Sequence, residues 1–165
     1  MKVVIKNLAK LNEIQKEKIK RSCIMGQSVL NWVEWENKIK ASSFKENKGY
    51  TGESFLVLLK SRDVVIDLAG FYEKSSTVGW TTLNGEKTHI NTYFLNTFEE
   101  HEVFSHITHE WCHILGFAHR ALLWSSKYRS IPYSVGYMTR DKFVEYYSKP
   151  REESFVNNYG FSFKD

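Results

Sequence analysis

The spacing of hydrophobic residues in the first quarter of the chain predicts a strand followed by a long helix. Residues 2–6 form a short β-branched run, which is typical of a strand. From Leu8 to about Lys40, apolar residues recur at helical intervals and charged residues fill the gaps between them. Asn7 is suited to cap this helix, and Gly26 is a point at which the helix could break. We expect the helix to back a sheet.

The pattern of the next segments predicts a loop, a short helix and a strand. Residues 41–52 are polar and contain two glycines, which predicts a loop. The apolar run at 54–60 suits either a buried strand or a short helix capped near Thr51, and we favour the helix. Residues 64–72 begin with β-branched side chains and predict a second strand.

Two further β-rich runs predict a hairpin. The runs are residues 77–83 and 87–95, and Asn84-Gly85 lies between them. An Asn-Gly pair in this position is a strong hairpin signal, because the turn needs residues that adopt positive φ. The hairpin could be an ordinary surface feature or an edge that binds another chain.

The last third of the chain predicts two helices. Thr97 and Glu100 have the spacing of a capping box, and the helix that they begin is expected to run to Leu115. Residues 141–147 predict a C-terminal helix, and the alternating aromatic residues in the tail, 151–165, are expected to dock on the body. This mixture of strands and helices indicates an α+β fold.

The composition indicates one folded domain that spans residues 1–165. Of these residues, 42% are hydrophobic and 15% are aromatic, which is enough to form a core. The net charge is +4, but no block of Lys and Arg is interleaved with aromatic residues, so we expect no nucleic-acid partner. The densest basic run, 16–21, is interrupted by Glu17 and is typical of a solvated helix face.

Neither export nor membrane insertion is indicated by the sequence. The first residues lack the long apolar region of a signal peptide, and no stretch approaches the length of a membrane-spanning helix. We therefore expect a cytoplasmic monomer without a membrane span. Release by lysis or by a non-classical route stays open.

Candidate metal ligands and a candidate catalytic base occur together in the string His109-Glu110-x-x-His113-x-x-Gly116-x-x-His119. His109 and His113 are four residues apart, so on a helix they project from one face and can both reach a zinc ion at about 2.0–2.1 Å. Gly116 can adopt positive φ, which lets the helix end and the chain turn until His119 returns as a third ligand. Three protein ligands with a fourth position open are typical of a catalytic zinc site. Glu110 follows the first ligand and can take a proton from a zinc-bound water.

This string resembles the HExxHxxGxxH signature of the metzincin zinc peptidases. In that clan the three histidines bind zinc, the glutamate is the general base, and a methionine-containing turn lies under the metal. The resemblance implies a zincin-like α+β domain with a small twisted mixed sheet, a backing helix, an active-site helix and a C-terminal helix. It also implies that an antiparallel edge strand, here residues 77–83, binds substrate as an extra strand. On this basis we expect a zinc-dependent metalloendopeptidase that acts on a peptide or protein.

Met138 is the candidate for the methionine turn, since it follows His119 by 19 residues. The residues around it include a proline and a glycine, which favour a turn. Several metzincin families carry a tyrosine two residues after the methionine, whereas Arg140 takes that place here. Tyr133 or Tyr137 could assist catalysis instead, and the sequence does not decide between them.

Two other side chains on the motif helix could touch the metal. His106 precedes His109 by three residues and so lies near the same face. We favour a supporting or exposed position for His106, because the motif already provides three ligands. Cys112 and the other cysteine, Cys23, are expected to pack in the core, and a thiolate ligand is less favoured.

Three hypotheses for function follow from these patterns. The first is hydrolysis of a peptide bond by water that Glu110 activates. The second is a catalytically silent, zinc-stabilised module that binds a peptide strand; such a module does not need a base at this position, which favours the first. The third, an association with nucleic acid, depends only on the net charge of +4, and salt-dependent DNA binding would be its first sign.

Overall fold

The computed structural model describes residues 1–44, 49–119 and 130–149. Within these ranges the chain forms a mixed α+β structure with a four-stranded sheet, as the sequence predicts. The elements in chain order are β1 (Val3–Ala9), α1 (Glu13–Leu30), α2 (Val33–Lys40), α3 (Gly52–Lys60), β2 (Val64–Phe71), β3 (Gly79–Thr81), β4 (Lys87–Asn91), α4 (Thr92–Leu95), α5 (Glu100–Ile114) and α6 (Ile131–Ser148).

The sheet has the strand order β1-β2-β4-β3. β1 pairs with β2 in parallel, β2 pairs with β4 in parallel, and β3 pairs with β4 in antiparallel orientation. Ile66 and Leu68 of β2 are buried beneath the helices, whereas Val65 is exposed on the opposite face. Helices α1 and α5 both contact the sheet and each other. β1 and β3 are therefore the edge strands of the described sheet, and β3 lies next to the helix that carries the histidine string.

The first helix differs from its predicted bounds at both ends. It begins at Glu13, where Asn12 and Gln15 cap each other's backbone N–H groups, whereas Asn7 still belongs to β1. The helical segment breaks at Asn31 and Trp32 and not at Gly26. Gly26 stays helical because its missing side chain makes room for Phe104: a Cβ there would lie 2.3 Å from the Phe104 ring.

The short elements on either side of β2 and β4 test three further predictions. The helix favoured for 54–60 is confirmed: α3 begins one residue after Thr51, whose hydroxyl accepts a hydrogen bond from the Ser54 N–H at 3.2 Å. The hairpin around Asn84 is also confirmed, and Asn84 has a φ of 57°. The strand predicted as far as residue 95 is wrong, because the Asn91 side chain accepts from the Tyr93 N–H and starts the short helix α4.

The predicted capping box at Thr97 and Glu100 is wrong by two residues. Glu99 is the N-cap of α5, and the Glu102 carboxylate accepts a hydrogen bond from the Glu99 N–H at 2.9 Å. The Thr97 hydroxyl instead donates to the Phe94 carbonyl oxygen at 3.0 Å, which closes the preceding turn.

The predicted methionine turn is replaced by the continuous helix α6. Pro132 lies in the first turn of this helix, where its missing N–H costs no hydrogen bond, and Met138 lies in the middle. Gly136 is also inside the helix and allows close packing, since a Cβ there would lie 3.1 Å from the Ser105 carbonyl oxygen and 3.3 Å from the His109 Cβ. Met138 therefore does not form a turn under the histidines; its Sδ accepts from the Ser42 hydroxyl at 3.2 Å. The tail at 151–165 lies outside the described residues.

The core lies between the sheet and the helices, and α5 is at its centre. The largest fully buried side chains include Trp35, Phe55 and Phe104. The indole N–H of Trp35 donates to the Thr139 hydroxyl at 3.1 Å, which ties α2 to α6. No helix within the described ranges has both the length and the apolar character needed to span a bilayer.

Candidate metal centre

Two of the three motif histidines lie on the cleft-facing side of α5. Periodicity places His109 and His113 one turn apart on this side, while Phe104 and Trp111 on the other side are buried in the core. The burial of the apolar side fixes the rotation of the helix. The two imidazole rings therefore face the cleft, with their centroids 5.1 Å apart.

Gly116 ends this helix and turns the chain, as the sequence predicts. Its φ is 89°, in the left-handed region that costs glycine little. The His113 carbonyl oxygen accepts two hydrogen bonds, from the Gly116 N–H at 2.9 Å and from the Asn84 N–H of the hairpin at 3.0 Å. The turn brings His119 back to the other two histidines.

The three histidine side chains converge through one nitrogen each. The His119 Nε2 lies 3.1 Å from the His113 Nε2 and 3.2 Å from the His109 Nε2. The His113 Nδ1 donates to the Phe117 carbonyl oxygen at 2.6 Å, so its Nε2 carries a lone pair. The His119 Nδ1 lies 2.8 Å from the Ser130 hydroxyl. Burial lowers the pKa of His113 below its ordinary value, which favours the neutral, ligating form.

These distances fit a bound metal ion better than hydrogen bonds among the rings. A neutral imidazole nitrogen carries at most one hydrogen, so the His119 Nε2 cannot donate to both neighbours. A cation held by the three lone pairs satisfies every nitrogen at once. His109, His113 and His119 are the only group of three or more potential metal ligands that converge in this way among the described residues. With Glu110 between them in sequence, the arrangement fits a zincin-like metal site.

Glu110 is buried beside the three nitrogens. Its side chain is 4% exposed, and its Oε1 lies 4.0 Å from the His109 Nε2. No described residue provides a hydrogen-bond partner for its Oε2. Burial raises the pKa of Glu110 to about 7, while the Thr81 hydroxyl acts in the opposite direction. Burying a carboxyl oxygen without a partner costs stability, and such groups are concentrated at functional sites.

His106 lies next to Glu110 and not in the metal site. Its Nε2 is 3.6 Å from the Glu110 Oε1 and makes no hydrogen bond to any residue within the described ranges. Desolvation lowers the pKa of His106 to about 4, so the ring is neutral at pH 7. Gly79 of β3 packs directly on this ring: a Cβ at Gly79 would lie 2.2 Å from the His106 Nε2. The sequence favours a supporting or an exposed position for His106. The supporting position beside the site is observed, and the exposed position is wrong.

A cleft of about 600 Å³ opens over the histidines between β3 and α6. Gly79 and Thr81 line one wall, with Trp80, whose ring stacks on His89 at 3.8 Å between centroids. Tyr133 and Tyr137 of α6 line the other wall. The Tyr133 ring lies 4.5 Å from the His109 ring and 4.7 Å from the His119 ring, so it is the nearer of the two tyrosines to the metal site.

Two other sequence candidates lie away from the metal site. Cys112 is fully buried in the core with Cys23, and both are free thiols, as expected for packing residues. Met138 packs against the core, where its Sδ contacts the Ser42 hydroxyl. Tyr133 and Tyr137 are candidates from the sequence, but the sequence places them near a turn and not on a helix that forms the wall of the cleft.

Comparison of the chain with protein-family models, with curated proteins and with solved structures gives no match.

Proposed function

We propose that this protein is a zinc-dependent metallopeptidase that cleaves peptide bonds within a chain. The observation that carries the proposal is the convergence of three imidazole Nε2 atoms beside one buried carboxyl group.

The ligand set and its spacing support zinc. Zinc prefers nitrogen and sulfur ligands in tetrahedral geometry, and bonds of about 2.0–2.1 Å place tetrahedral ligand atoms about 3.3–3.4 Å apart. The Nε2 separations of 3.1 and 3.2 Å are close to this spacing. Three ligands leave the fourth position to water or substrate, which is the pattern of catalytic zinc sites.

Glu110 supports hydrolysis over simple metal storage. Zinc, when bound, would polarise the scissile carbonyl and make an adjacent water more acidic. The Glu110 carboxylate would accept a proton from the attacking water and then donate it to the leaving nitrogen. A nearby cation lowers the pKa of a carboxyl group, so the value of about 7 is expected to fall when the metal binds and to leave Glu110 ionised as a base.

The edge strand offers a place for the substrate. Among the described strands β3 pairs only with β4, and its other edge borders the cleft. An extended peptide could add to that edge through main-chain hydrogen bonds and become a fifth strand. The peptide would then cross the cleft over the histidines, with its side chains between β3 and α6.

The decisive experiment measures zinc content and peptide cleavage on the same samples of wild-type protein and Glu110→Gln. We expect the variant to keep one zinc per chain and to lose about 10²–10⁴-fold in kcat/KM, because it removes the base and no ligand. His101→Gln is the matched control: His101 is also on α5 but packs towards Phe143, 6.4 Å between ring centroids. The control is expected to keep both zinc and activity.

Two results would contradict the proposal. Cleavage by Glu110→Gln at the wild-type rate would remove Glu110 from the mechanism. Zinc-loaded wild-type protein that binds peptides and cleaves none of a mixed peptide library would favour the silent binding module instead.

A further inference from the structure

One face of α6 extends from the metal site to a positively charged side chain, Arg140, at the far end of the cleft. Tyr133, Tyr137 and Arg140 are spaced four and three residues apart, so they lie on the same side of the helix. Tyr133 contacts two of the metal-site histidines, and its ring lies 5.8 Å from the Tyr137 ring. The Arg140 guanidinium carbon lies 5.2 Å from the Tyr137 ring centroid. This row leads along the wall of the cleft, away from the metal site.

Arg140 gives this end of the cleft a positive charge. Among the described residues that line the cleft it is the only Lys or Arg. Glu102 also lines this region, but one of its carboxylate oxygens already accepts from the Glu99 N–H at the start of α5. The opposite charge at Asp141 belongs to a side chain that is 66% exposed.

The contact between Arg140 and Asp141 leaves donors for a second carboxylate. The Arg140 Nε and Nη2 both donate to the Asp141 Oδ1, at 3.0 and 2.9 Å. A guanidinium group has five N–H donors, so with respect to the described residues both hydrogens on Nη1 and one on Nη2 remain. These hydrogens lie along the end of the group and match the two oxygens of a carboxylate. An exposed ion pair such as Arg140–Asp141 contributes little stability, so it opposes the second contact only weakly.

The length of the row sets the position of that carboxylate in the substrate. Tyr133 and Arg140 are seven residues apart, which is about 10 Å along a helix at 1.5 Å per residue. An extended peptide advances about 3.3 Å per residue, so the same distance corresponds to about three residues. We propose, on the basis of the function proposed above, that Arg140 binds a substrate carboxylate about three residues from the scissile bond.

The carboxylate can come from an acidic side chain or from a free C-terminus, and the test separates these sources. One peptide series carries Glu at a single position, from four residues before to four residues after the cleaved bond, and a matched series carries Gln there. A second pair of peptides ends three residues after the bond, with either a free carboxylate or an amide. The measured quantity is the ratio of kcat/KM between the charged and the neutral member of each pair.

We expect wild-type protein to prefer a charged member about three residues from the bond by about tenfold or more, as for a charge-assisted hydrogen bond. In Arg140→Gln this ratio should fall to about one, and in Arg140→Glu a Lys-containing peptide should replace the Glu-containing one as the preferred substrate. Lys142→Gln is the matched control on the same helix, because Lys142 pairs with Glu145 at 2.6 Å and does not line the cleft. It is expected to keep the wild-type ratio.

A ratio near one at every position in wild-type protein would overturn the role of Arg140, and so would a preference that survives in Arg140→Gln. In both cases the neutral peptides are still cleaved, so the peptidase proposal stands. Failure to cleave any peptide would instead count against the peptidase proposal. The affinities of the same peptide pairs for zinc-loaded Glu110→Gln would then test Arg140 independently: equal affinity for charged and neutral members would overturn its role.

Discussion

The two sides of α5 share one regular helical backbone but carry side chains of opposite character, apolar towards the core and polar towards the cleft. On the core side, Phe104 and Trp111 are buried against other apolar residues, and Cys112 is fully buried with them. On the cleft side, Glu110 is buried and the His106 side chain is 10% exposed, but each has a buried polar atom for which the described residues provide no hydrogen-bond partner. The first arrangement lowers the free energy of the folded state, whereas the second raises it. The comparison teaches that packing on the core side holds the helix in a position where the cleft side can keep unfavourably buried polar groups.

The largest expected effect tests the core side. Phe104→Ala should lower the free energy of unfolding by about 3–5 kcal/mol, because it removes a fully buried ring and leaves a cavity. Urea unfolding followed by circular dichroism measures this change. Phe104→Leu, which keeps most of the volume, should lose less than half as much. An Ala variant as stable as wild type would mean that the core side does not hold the helix.

A smaller effect, of opposite sign, tests the cleft side in metal-free protein. The pKa of Glu110 is about 7 in the fold against 4.5 for an ordinary glutamate, so the folded state holds a proton that the unfolded chain releases between these values. Stability from this group is therefore present below about pH 4.5 and is lost as the pH rises through 7. Glu110→Gln should gain stability relative to wild type over this range, by roughly 3 kcal/mol at most.

The measurement is the difference in unfolding free energy between Glu110→Gln and wild type at pH 5, 6, 7 and 8, with chelator present. The contribution of His106 has the opposite sign, since its pKa is lowered, but it is shared by both proteins and largely cancels in the difference. A difference that does not change with pH would show that Glu110 is not buried as described.

The smallest of these effects tests the contact between the edge strand and the cleft side. A Cβ at Gly79 would lie 2.2 Å from the His106 Nε2 and 2.3 Å from the His89 carbonyl oxygen, and neither distance is tolerable. Gly79→Ala should therefore shift β3 and destabilise the protein by about 1–3 kcal/mol. If His106→Ala restores stability to Gly79→Ala, the clash is with the ring; if it does not, the clash is with the His89 backbone.

The sequence predicts the histidine cluster well because local geometry determines most of it. Helical spacing places His109 and His113 together, and only one permissive residue, Gly116, is needed to return His119. The start of α5 is predicted two residues too early, because Thr97-x-x-Glu100 has the residue types of a capping box, whereas Glu is not among the preferred N-cap residues. In the fold Thr97 closes the preceding turn, and Glu99 and Glu102 begin the helix.

The C-terminal helix predicted at 141–147 is confirmed as the second half of α6, whereas the first half is predicted as a turn. Pro132 and Gly136 favour a turn in isolation, yet proline is tolerated in a first helical turn and Gly136 allows close contact with Ser105 and His109. Packing between α5 and α6 thus overrides the local preference of these residues. The cleft is formed by segments some 50 residues apart, Gly79–Thr81 and Tyr133–Arg140, so its shape is a property of the fold and not of any motif.

The carbonyl oxygen of His113 connects three parts of the molecule through a single atom. It belongs to a metal-site residue, and its two lone pairs accept from the loop after α5 and from the hairpin turn at Asn84. A displacement of the hairpin would therefore pull on the backbone of a residue whose side chain belongs to the candidate metal site. The position of the hairpin and the arrangement of the three histidines are thus coupled through the main chain.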